Sequence, residues 1–375
     1  MKNLFKYEKL LIIIFALFTF WIGGISIVHF LGKRENDSSK MIPVSTIAPT
    51  IIKEQDFFIK GSIPYWDQEN AIISFKANKN VFNYINVFWY YLNYDGSIQK
   101  YEYAKEDTEL IKFAHENNIK VSAVITNLGE NPEKWDSGRV EEVINSTANR
   151  KNHITQILNK LNEKEFDGVI IDYELLKPTT RNNYTLFIKE LSEEMKKNNK
   201  ITTVVLHPKT GENVKGESIS RYQDWQKLTQ YADQVQIMGY SEHTDEDEPG
   251  PIAGIDWVGK IVNYTLSLNI PVEKVFLGIP LYGYDWDKNS KESAAGLTLE
   301  EVSKLIKKEN ANVEFDKFKK SPMFRYDSHE VWFEDKDSIR FKTDLAYKSG
   351  FAGVTFWRLG GDDSAVWQMI EENYN

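Results

Sequence analysis

Residues 166–174, FDGVIIDYE, are the most informative nine residues of this chain. In a β-strand, alternate side chains point to opposite faces of the sheet. The two faces are Gly168, Ile170, Asp172 and Glu174 on one side, and Val169, Ile171 and Tyr173 on the other. The second face suits packing against outer helices. The first face becomes polar toward the carboxyl end of the strand, where the active sites of α/β barrels lie.

Outward from this strand, apolar runs and helical patterns alternate from residue 57 onward, which indicates parallel βαβ units. Eight strands are predicted, at 60–66, 85–92, 121–127, 168–174, 202–207, 234–240, 275–282 and 353–357. Eight such strands favour an α/β fold of the closed (β/α)₈ TIM-barrel type. A doubly wound open sheet is the alternative, and it is disfavoured because no Gly-rich phosphate loop follows the first strand.

The connection between the seventh and eighth predicted strands, residues 283–352, is too long for a simple βα loop. It contains a helical pattern at 298–309 and a predicted strand pair around 324–326 and 331–334. A second helical pattern ends at Gly350, as a left-handed helix cap would. We therefore predict a small α+β insertion on the carboxyl face of the barrel, where it walls one side of a cleft.

An apolar run at residues 10–31 is long enough for one transmembrane helix. Residues 1–9 are basic and are predicted to be cytoplasmic, and no A-x-A-like cleavage site follows the run. We predict an uncleaved, single-pass signal-anchor in the cell membrane, with a polar linker at 32–56 and an extracytoplasmic body at 57–375. Cleavage of this segment and secretion of the body is the alternative.

Charge and composition exclude several classes of function. The chain has 375 residues and a formal net charge of −9, which argues against nucleic acid as a partner because phosphate binding needs a basic surface. It contains no cysteine, which excludes disulfides, thiolate metal sites and thiol nucleophiles.

The two carboxyl groups of residues 166–174 carry the predicted chemistry. Asp172 and Glu174 lie two residues apart on one face of a buried strand, so their burial and mutual repulsion raise the pKa of at least one. A carboxyl group that stays protonated near neutral pH can give its proton to a leaving oxygen. The alternative is that both are surface residues at a strand end, paired with lysine or arginine.

The stretch D-G-x-x-x-D-Y-E at 167–174 resembles the signature of the family 18 glycoside hydrolases, which are chitinase-like (β/α)₈ barrels. The resemblance extends over residues ~60–373. It includes QIMGY at 236–240, GIPLYG at 278–283 and FW at 356–357. Three further stretches are similar to the bacterial spore-germination and cortex-lytic N-acetylglucosaminidases of that family: EPGP at 248–251, RYDSHEVWFED at 325–335 and FWRLGG at 356–361.

The resemblance implies a mechanism and a set of site residues. Glu174 matches the general acid and base, Asp172 matches the carboxylate that orients the substrate's N-acetyl group, and Tyr240 matches the hydroxyl that steadies the acetamido oxygen. Trp357 matches the platform under the sugar ring. The implied reaction is retaining, substrate-assisted cleavage of β-1,4 bonds in polysaccharides that contain N-acetylglucosamine, such as peptidoglycan, spore cortex or chitin, with no metal or cofactor.

Other residues at predicted strand ends are candidates for binding the sugar chain: Met238, Tyr282, Asn127, Trp66 and Tyr284. Core packing is the alternative for Trp66. His207 ends the fifth predicted strand and is a further candidate. Glu242 and His243 follow Tyr240 and allow a catalytic interpretation, but the acidic residues 244–248 beside them are more typical of a solvated loop, with cation binding as a lesser alternative.

Two positions depart from the family pattern. Most chitinases have an acid at the position of Ile170, and many relatives have Asp at the position of Ser241. Without an inner acid, we expect Asp172 to point permanently toward Glu174. An active hydrolase is therefore the first hypothesis, a catalytically impaired chitinase-like lectin that binds the same glycans is the second, and a wall-associated scaffold is the third. Retention of Glu174 favours the hydrolase.

Overall fold

The computed structural model describes residues 56–130, 133–212 and 220–374. The predicted cytoplasmic N-terminus at 1–9, the predicted membrane span at 10–31 and all but the last residue of the predicted linker at 32–56 lie outside the described residues. Within the described ranges, no helix is long and apolar enough to cross a bilayer.

The secondary structure alternates as the sequence predicts. The strands of the described residues are β1 (Phe58–Pro64), β2 (Tyr84–Leu92), β3 (Ile98–Lys100), β4 (Lys120–Thr126), β5 (Leu128–Glu130), β6 (Glu133–Trp135), β7 (Gly168–Asp172), β8 (Ile201–Leu206), β9 (Gln234–Ile237), β10 (Val275–Pro280), β11 (Tyr282–Asp287), β12 (Ala295–Thr298), β13 (Glu314–Asp316), β14 (Ser321–Tyr326), β15 (His329–Phe333) and β16 (Gly353–Trp357). The α-helices of the same residues are α1 (Gln68–Ala77), α2 (Thr108–Glu116), α3 (Ser137–Ile144), α4 (Thr147–Glu163), α5 (Arg181–Lys197), α6 (Trp225–Tyr231), α7 (Ile255–Ser267), α8 (Leu299–Glu309), α9 (Lys336–Lys348) and α10 (Ser364–Tyr374).

Eight of the strands form a closed parallel barrel. Around the barrel the order is β1, β2, β4, β7, β8, β9, β10 and β16, and β16 pairs with β1 to close the ring. Gly61 of β1 is in register with Ile85 on one side and with Phe356 on the other. The predicted TIM barrel is therefore confirmed, and the open-sheet alternative is wrong.

The outer helices form where apolar residues recur at helical spacing. In α4, Ile154, Ile157 and Leu161 are buried on one face, and burial of each such side chain stabilises the fold by about 2 kcal/mol. Local caps set the helix ends. The Asp107 side chain accepts a hydrogen bond from the Leu110 backbone and begins α2. Gly350 has φ +76° and follows the end of α9, as predicted.

Six of the eight predicted barrel strands end one to three residues earlier than expected. The fourth ends at Asp172 instead of residue 174, and the sixth ends at Ile237 instead of residue 240. Glu174 and Tyr240 therefore lie on loops just beyond the barrel. The first strand ends at Pro64, and residues 65–67 turn into a 3₁₀ helix.

The predicted α+β insertion is present. It consists of a five-stranded antiparallel sheet in the order β12, β11, β15, β14, β13 together with α8. The predicted strand pair is β14 and β15, and α8 begins with a capping box between Thr298 and Glu301. The segment after β15 holds a buried ion pair, in which Lys342 Nζ of α9 lies 2.7 Å from Glu334 Oε2.

Candidate active site

A cavity of about 540 Å³ opens at the carboxyl end of the barrel strands. Six of the nine predicted site residues line it: Asp172, Glu174, Tyr240, Trp357, Met238 and Trp66. Tyr282 and Tyr284 line a second, smaller cavity of about 290 Å³, to which Trp66 and Trp357 also contribute. The ninth, Asn127, is fully buried and supports the site from behind.

The two carboxyl groups at the end of β7 are the central acidic groups of the main cavity. Asp172 is only 9% exposed, and burial raises its pKa to about 7. Burial, and then the charge of Asp172, raise the pKa of Glu174 well above its usual value. Among the described residues, no lysine or arginine lies within salt-bridge distance of either group, so the alternative of paired surface residues is not what the structure shows. Both shifts favour the protonated form of the carboxyl group.

Asn127 fixes the backbone that carries Glu174. Its Nδ2 donates to the Glu174 carbonyl oxygen at 2.9 Å, and its Oδ1 accepts from the Glu174 amide at 2.7 Å. Asn127 follows β4, the neighbour of β7, so this reciprocal pair extends the barrel beyond the last strand bond. Sequence analysis proposed Asn127 as a substrate-binding residue; the structure shows its side chain bonded to the Glu174 backbone and not lining the cavity, and its contact with substrate stays a prediction.

Tyr173 holds the same segment from its outer side. The Nδ1 atom of His153 lies 2.8 Å from the Gly96 carbonyl oxygen, which requires a proton on Nδ1. The neutral Nε2 then accepts from the Tyr173 hydroxyl at 2.6 Å, and burial lowers the pKa of His153 to about 4, which keeps the ring neutral. The Tyr222 hydroxyl donates to the Tyr173 carbonyl at 2.5 Å. These bonds keep Tyr173 outside the barrel and leave Asp172 and Glu174 facing the cavity.

Tyr240 and Met238 come from the loop after β9. The Met238 amide donates to the Leu206 carbonyl at 2.9 Å, which continues the strand pairing by one residue. Burial, and then the charges of Asp172 and Glu174, raise the pKa of Tyr240, so its hydroxyl remains protonated and can donate into the cavity. Gly278 of β10 leaves room for this ring, because a Cβ atom there would lie 2.9 Å from Tyr240 Cε1.

The floor and one wall of the cavity are aromatic. Trp357, the last residue of β16, packs against Phe88 with ring centroids 5.5 Å apart and against Trp66 at 6.0 Å. Trp66 is 49% exposed, which is unusual for so large an apolar side chain. Exposed indole faces of this kind suit the apolar face of a sugar ring.

The departures from the family pattern have clear structural positions. Ile170 is buried, is part of the barrel core and contributes to the cavity wall. Ser241 lines the cavity with φ +83°. The barrel therefore has an apolar side chain where most chitinases have an inner acid.

The side chains of Glu242 and His243 bond to neighbouring segments of the chain and do not line the cavity. Glu242 accepts from the Gly254 amide at 2.7 Å and lies 2.8 Å from Lys319 Nζ, while His243 Nδ1 donates to the Glu248 carbonyl at 2.9 Å. The catalytic interpretation of this pair is not what the structure shows. The acidic residues 244–248 belong to no group of metal-ligating side chains within the described parts of the chain.

Among the cavity-wall residues that sequence reasoning missed are Trp135, Leu175 and Gln236. Trp135 lies in the short β5–β6 hairpin, whose three-residue strands have no detectable periodicity. Leu175 follows the acid with φ +55° and is 44% exposed. The alternation of polar and apolar residues along β9 is the signal that would have placed Gln236 inside the barrel.

Comparison of the sequence with known proteins identifies a family and several relatives. The model of the glycosyl hydrolases family 18 matches residues 62–362. An uncharacterized glycosylase of Bacillus subtilis, YvbX, is 30% identical over 270 residues, which are 71% of this chain and 78% of that protein. A cortical fragment-lytic enzyme of Bacillus anthracis is 26% identical over 318 residues, with coverage of 82% and 71%.

Solved structures show the same fold. The spore cortex-lytic enzyme SleL of Bacillus megaterium aligns with a TM-score of 0.78 and 24% identity, over 86% of this chain and 75% of that one. A chitinase of Chromobacterium violaceum aligns with a TM-score of 0.77 and 24% identity, over 84% and 98%. At 24% identity, these two alignments show that the chains share a fold.

Proposed function

The chain belongs to the family 18 glycosyl hydrolases and is a glycosidase, and from this premise we propose a retaining, substrate-assisted hydrolysis of peptidoglycan. The family's relatives include chitinases and cortex-lytic enzymes, which supports glycans that contain N-acetylglucosamine as the substrate class. The observation that carries the proposal is the cavity that brings Asp172, Glu174 and Tyr240 together beside Trp357.

In the proposed first step, Glu174 gives its proton to the glycosidic oxygen as the bond from that oxygen to C1 breaks. The acetamido oxygen of the same sugar forms a new bond to C1, which closes an oxazolinium ring. Asp172 accepts a hydrogen bond from the acetamido N–H, and the Tyr240 hydroxyl donates to the acetamido oxygen. Trp357 lies under the sugar ring.

In the second step, the Glu174 carboxylate takes a proton from water as that water attacks C1 and opens the ring. Two successive inversions at C1 retain the β configuration. The raised pKa of Glu174 suits it to the first role, because the group must enter the reaction protonated. Burial of the cavity strengthens each hydrogen bond that stabilises the developing charge.

The choice of peptidoglycan over chitin rests on the predicted membrane anchor and on the relatives named cortical fragment-lytic enzymes. A catalytic body held at the outer face of the membrane meets the cell wall before any diffusible polymer. The single-pass topology itself is part of the proposal.

Cell fractionation tests this topology. Ile13→Lys together with Leu17→Lys puts two charges into the predicted span at residues 10–31, which costs about 5–7 kcal/mol of insertion free energy. We expect this variant to lose sedimentation with membranes, while Ile42→Lys in the linker keeps it. Equal membrane association of all three proteins would contradict the anchor.

Digestion of purified glycans tests the activity. The purified chain and its Glu174→Gln variant are incubated with peptidoglycan and, separately, with chitooligosaccharides, and the released ends are identified by mass spectrometry. Glu193→Gln, on the exposed face of α5, is the matched control. We expect new reducing N-acetylglucosamine ends from the wild type and the control only, released faster from peptidoglycan than from chitooligosaccharides. Binding of both glycans without cutting would instead support the lectin alternative, to which Ile170 and Ser241 point.

A further inference from the structure

His207 is a buried histidine beside the acid that the proposed mechanism does not use. It follows β8, is only 3% exposed, and its Nε2 lies 3.5 Å from Glu174 Oε2. Within the described part of the chain, this Nε2 has no hydrogen-bond partner, since the distance to Glu174 is too long for a full hydrogen bond. If Nε2 and Oε2 approached by a few tenths of an ångström, they would form a hydrogen bond. Catalytic hydrogen bonds are often this long before substrate binds.

The backbone of His207 is held independently of its ring. The His207 amide donates to Gln223 Oε1 at 2.8 Å, and Gln223 Nε2 donates to the Val205 carbonyl at 2.9 Å. This glutamine pins the end of β8 to the segment before α6. A substitution of the His207 side chain therefore leaves in place the bonds that position residue 207.

The groups around the imidazole favour its neutral form. The ring faces the carboxyl of Glu174, the edge of Tyr222 at a centroid distance of 6.0 Å, and the charge of Lys209. Lys209 Nζ donates to the Gln223 carbonyl at 2.9 Å. Burial, and then the charge of Lys209, lower the pKa of His207 to about 4. Near neutral pH the ring therefore carries one N–H. In the tautomer with this proton on Nε2, the ring can donate to Glu174.

The other hydrogen-bond donors of the described cavity wall, Tyr240 among them, are uncharged. Among the described residues that line the cavity, none is lysine or arginine. From the barrel interior below, Ile170 contributes only an apolar side chain, and Asp172 Oδ1 has no partner within the described residues. When Glu174 gives up its proton, its new negative charge forms in a buried place beside a second carboxyl group.

We propose that His207 is a positioning residue for the acid: its Nε2–H donates to Glu174 Oε2 and leaves Oε1 to carry the proton that goes to the leaving oxygen. This inference rests on the proposed role of Glu174. As Glu174 becomes a carboxylate, the bond becomes charge-assisted and strengthens, so it stabilises the transition state more than the ground state.

Two variants separate this role from simple packing. His207→Phe keeps a ring and removes the donor, and His207→Gln restores an N–H near the place of Nε2. The pKa of Glu174 is measured directly by infrared titration of its protonated carboxyl band, which is assigned by its absence in Glu174→Gln. The catalytic rate constant, kcat, is measured on the same proteins as a function of pH.

Because the donor stabilises the carboxylate form, its loss should raise the pKa of Glu174 by about one unit and lower kcat about tenfold. The alkaline limb of the pH profile should move upward in His207→Phe, and His207→Gln should restore most of both quantities. An unchanged pKa in His207→Phe would overturn the proposal. A lowered pKa would overturn it too, because it would show that Glu174 donates to the histidine.

The experiments distinguish a failure of the proposed hydrolysis from a failure of the proposed role of His207. If the wild type cuts no glycan but the pKa shift and its reversal are seen, the proposed hydrolysis is wrong while the link between His207 and Glu174 stands. If the wild type cuts and both variants lose kcat equally with no change in the pKa, His207 acts only through packing and the inference is wrong.

Discussion

Asn127→Ala should misplace Glu174, the proposed acid, without changing any residue of the cavity surface. Asn127 is fully buried, and its side chain makes two hydrogen bonds to the Glu174 backbone, at 2.9 and 2.7 Å. At about 1 kcal/mol for each bond, the free energy of unfolding should fall by about 2 kcal/mol. The loop that begins after Asp172 would then lose its tie to β4.

The kinetic effect should exceed the effect on stability. A shift of about 1 Å in a catalytic group costs on the order of 10²-fold in rate. Because Asn127 does not reach the cavity, the Michaelis constant, KM, should change little while kcat falls. Urea unfolding gives the stability change, and initial rates on a soluble glycan give kcat and KM.

Asn83→Ala is the matched control for Asn127→Ala. The Asn83 Oδ1 atom accepts from the Ile59 amide at 2.7 Å, which is the same kind of bond at the opposite end of the barrel. We expect a stability loss of about 1 kcal/mol and an unchanged kcat. If Asn127→Ala lost no more kcat than Asn83→Ala, the reasoning that Asn127 positions Glu174 would be refuted.

Three further outcomes follow from the site and its surroundings. Trp66→Ala should raise KM for chitooligosaccharides about tenfold with little loss of stability, because the ring is half exposed; an unchanged KM would mean that no sugar contacts it. The pKa of Asp172 is raised from 3.8 to about 7, so the folded state binds a proton that the unfolded state releases, and the free energy of unfolding should fall as pH rises from about 4 to 7. Asp172→Asn should reduce this slope in urea titrations, and an equal slope would contradict the shift. Lys342→Met should destabilise the fold by about 3–5 kcal/mol, because Glu334 would be left buried without its cation; thermal unfolding at the wild-type midpoint would contradict this.

Much of the fold could be predicted from the sequence because its determinants are local. The alternation in residues 166–174 predicted that Asp172 and Glu174 face the cavity. The eight apolar runs predicted the eight strands of the barrel. Gly350 marks a helix end through its positive φ angle. Each of these signals lies within a few residues of the feature that it specifies.

The remainder depended on contacts between distant parts of the chain. The two bonds of the Asn127 side chain join residues 47 positions apart. Tyr282 and Tyr284 lie on β11, which pairs within the insertion sheet, and this pairing places them in the second cavity beside Trp66 and Trp357. No pattern within the sequence specifies such pairings, because they arise only when the barrel closes.

The anomeric configuration of the first product is the most direct test of the central claim, that the substrate's own acetamido group is the nucleophile and Glu174 is the acid. Proton NMR during digestion of a chitooligosaccharide follows the α and β anomers before they equilibrate. The account predicts that the β anomer forms first with the wild-type chain and that Glu174→Gln gives neither. Initial formation of the α anomer would show inversion by direct attack of water and would contradict the account.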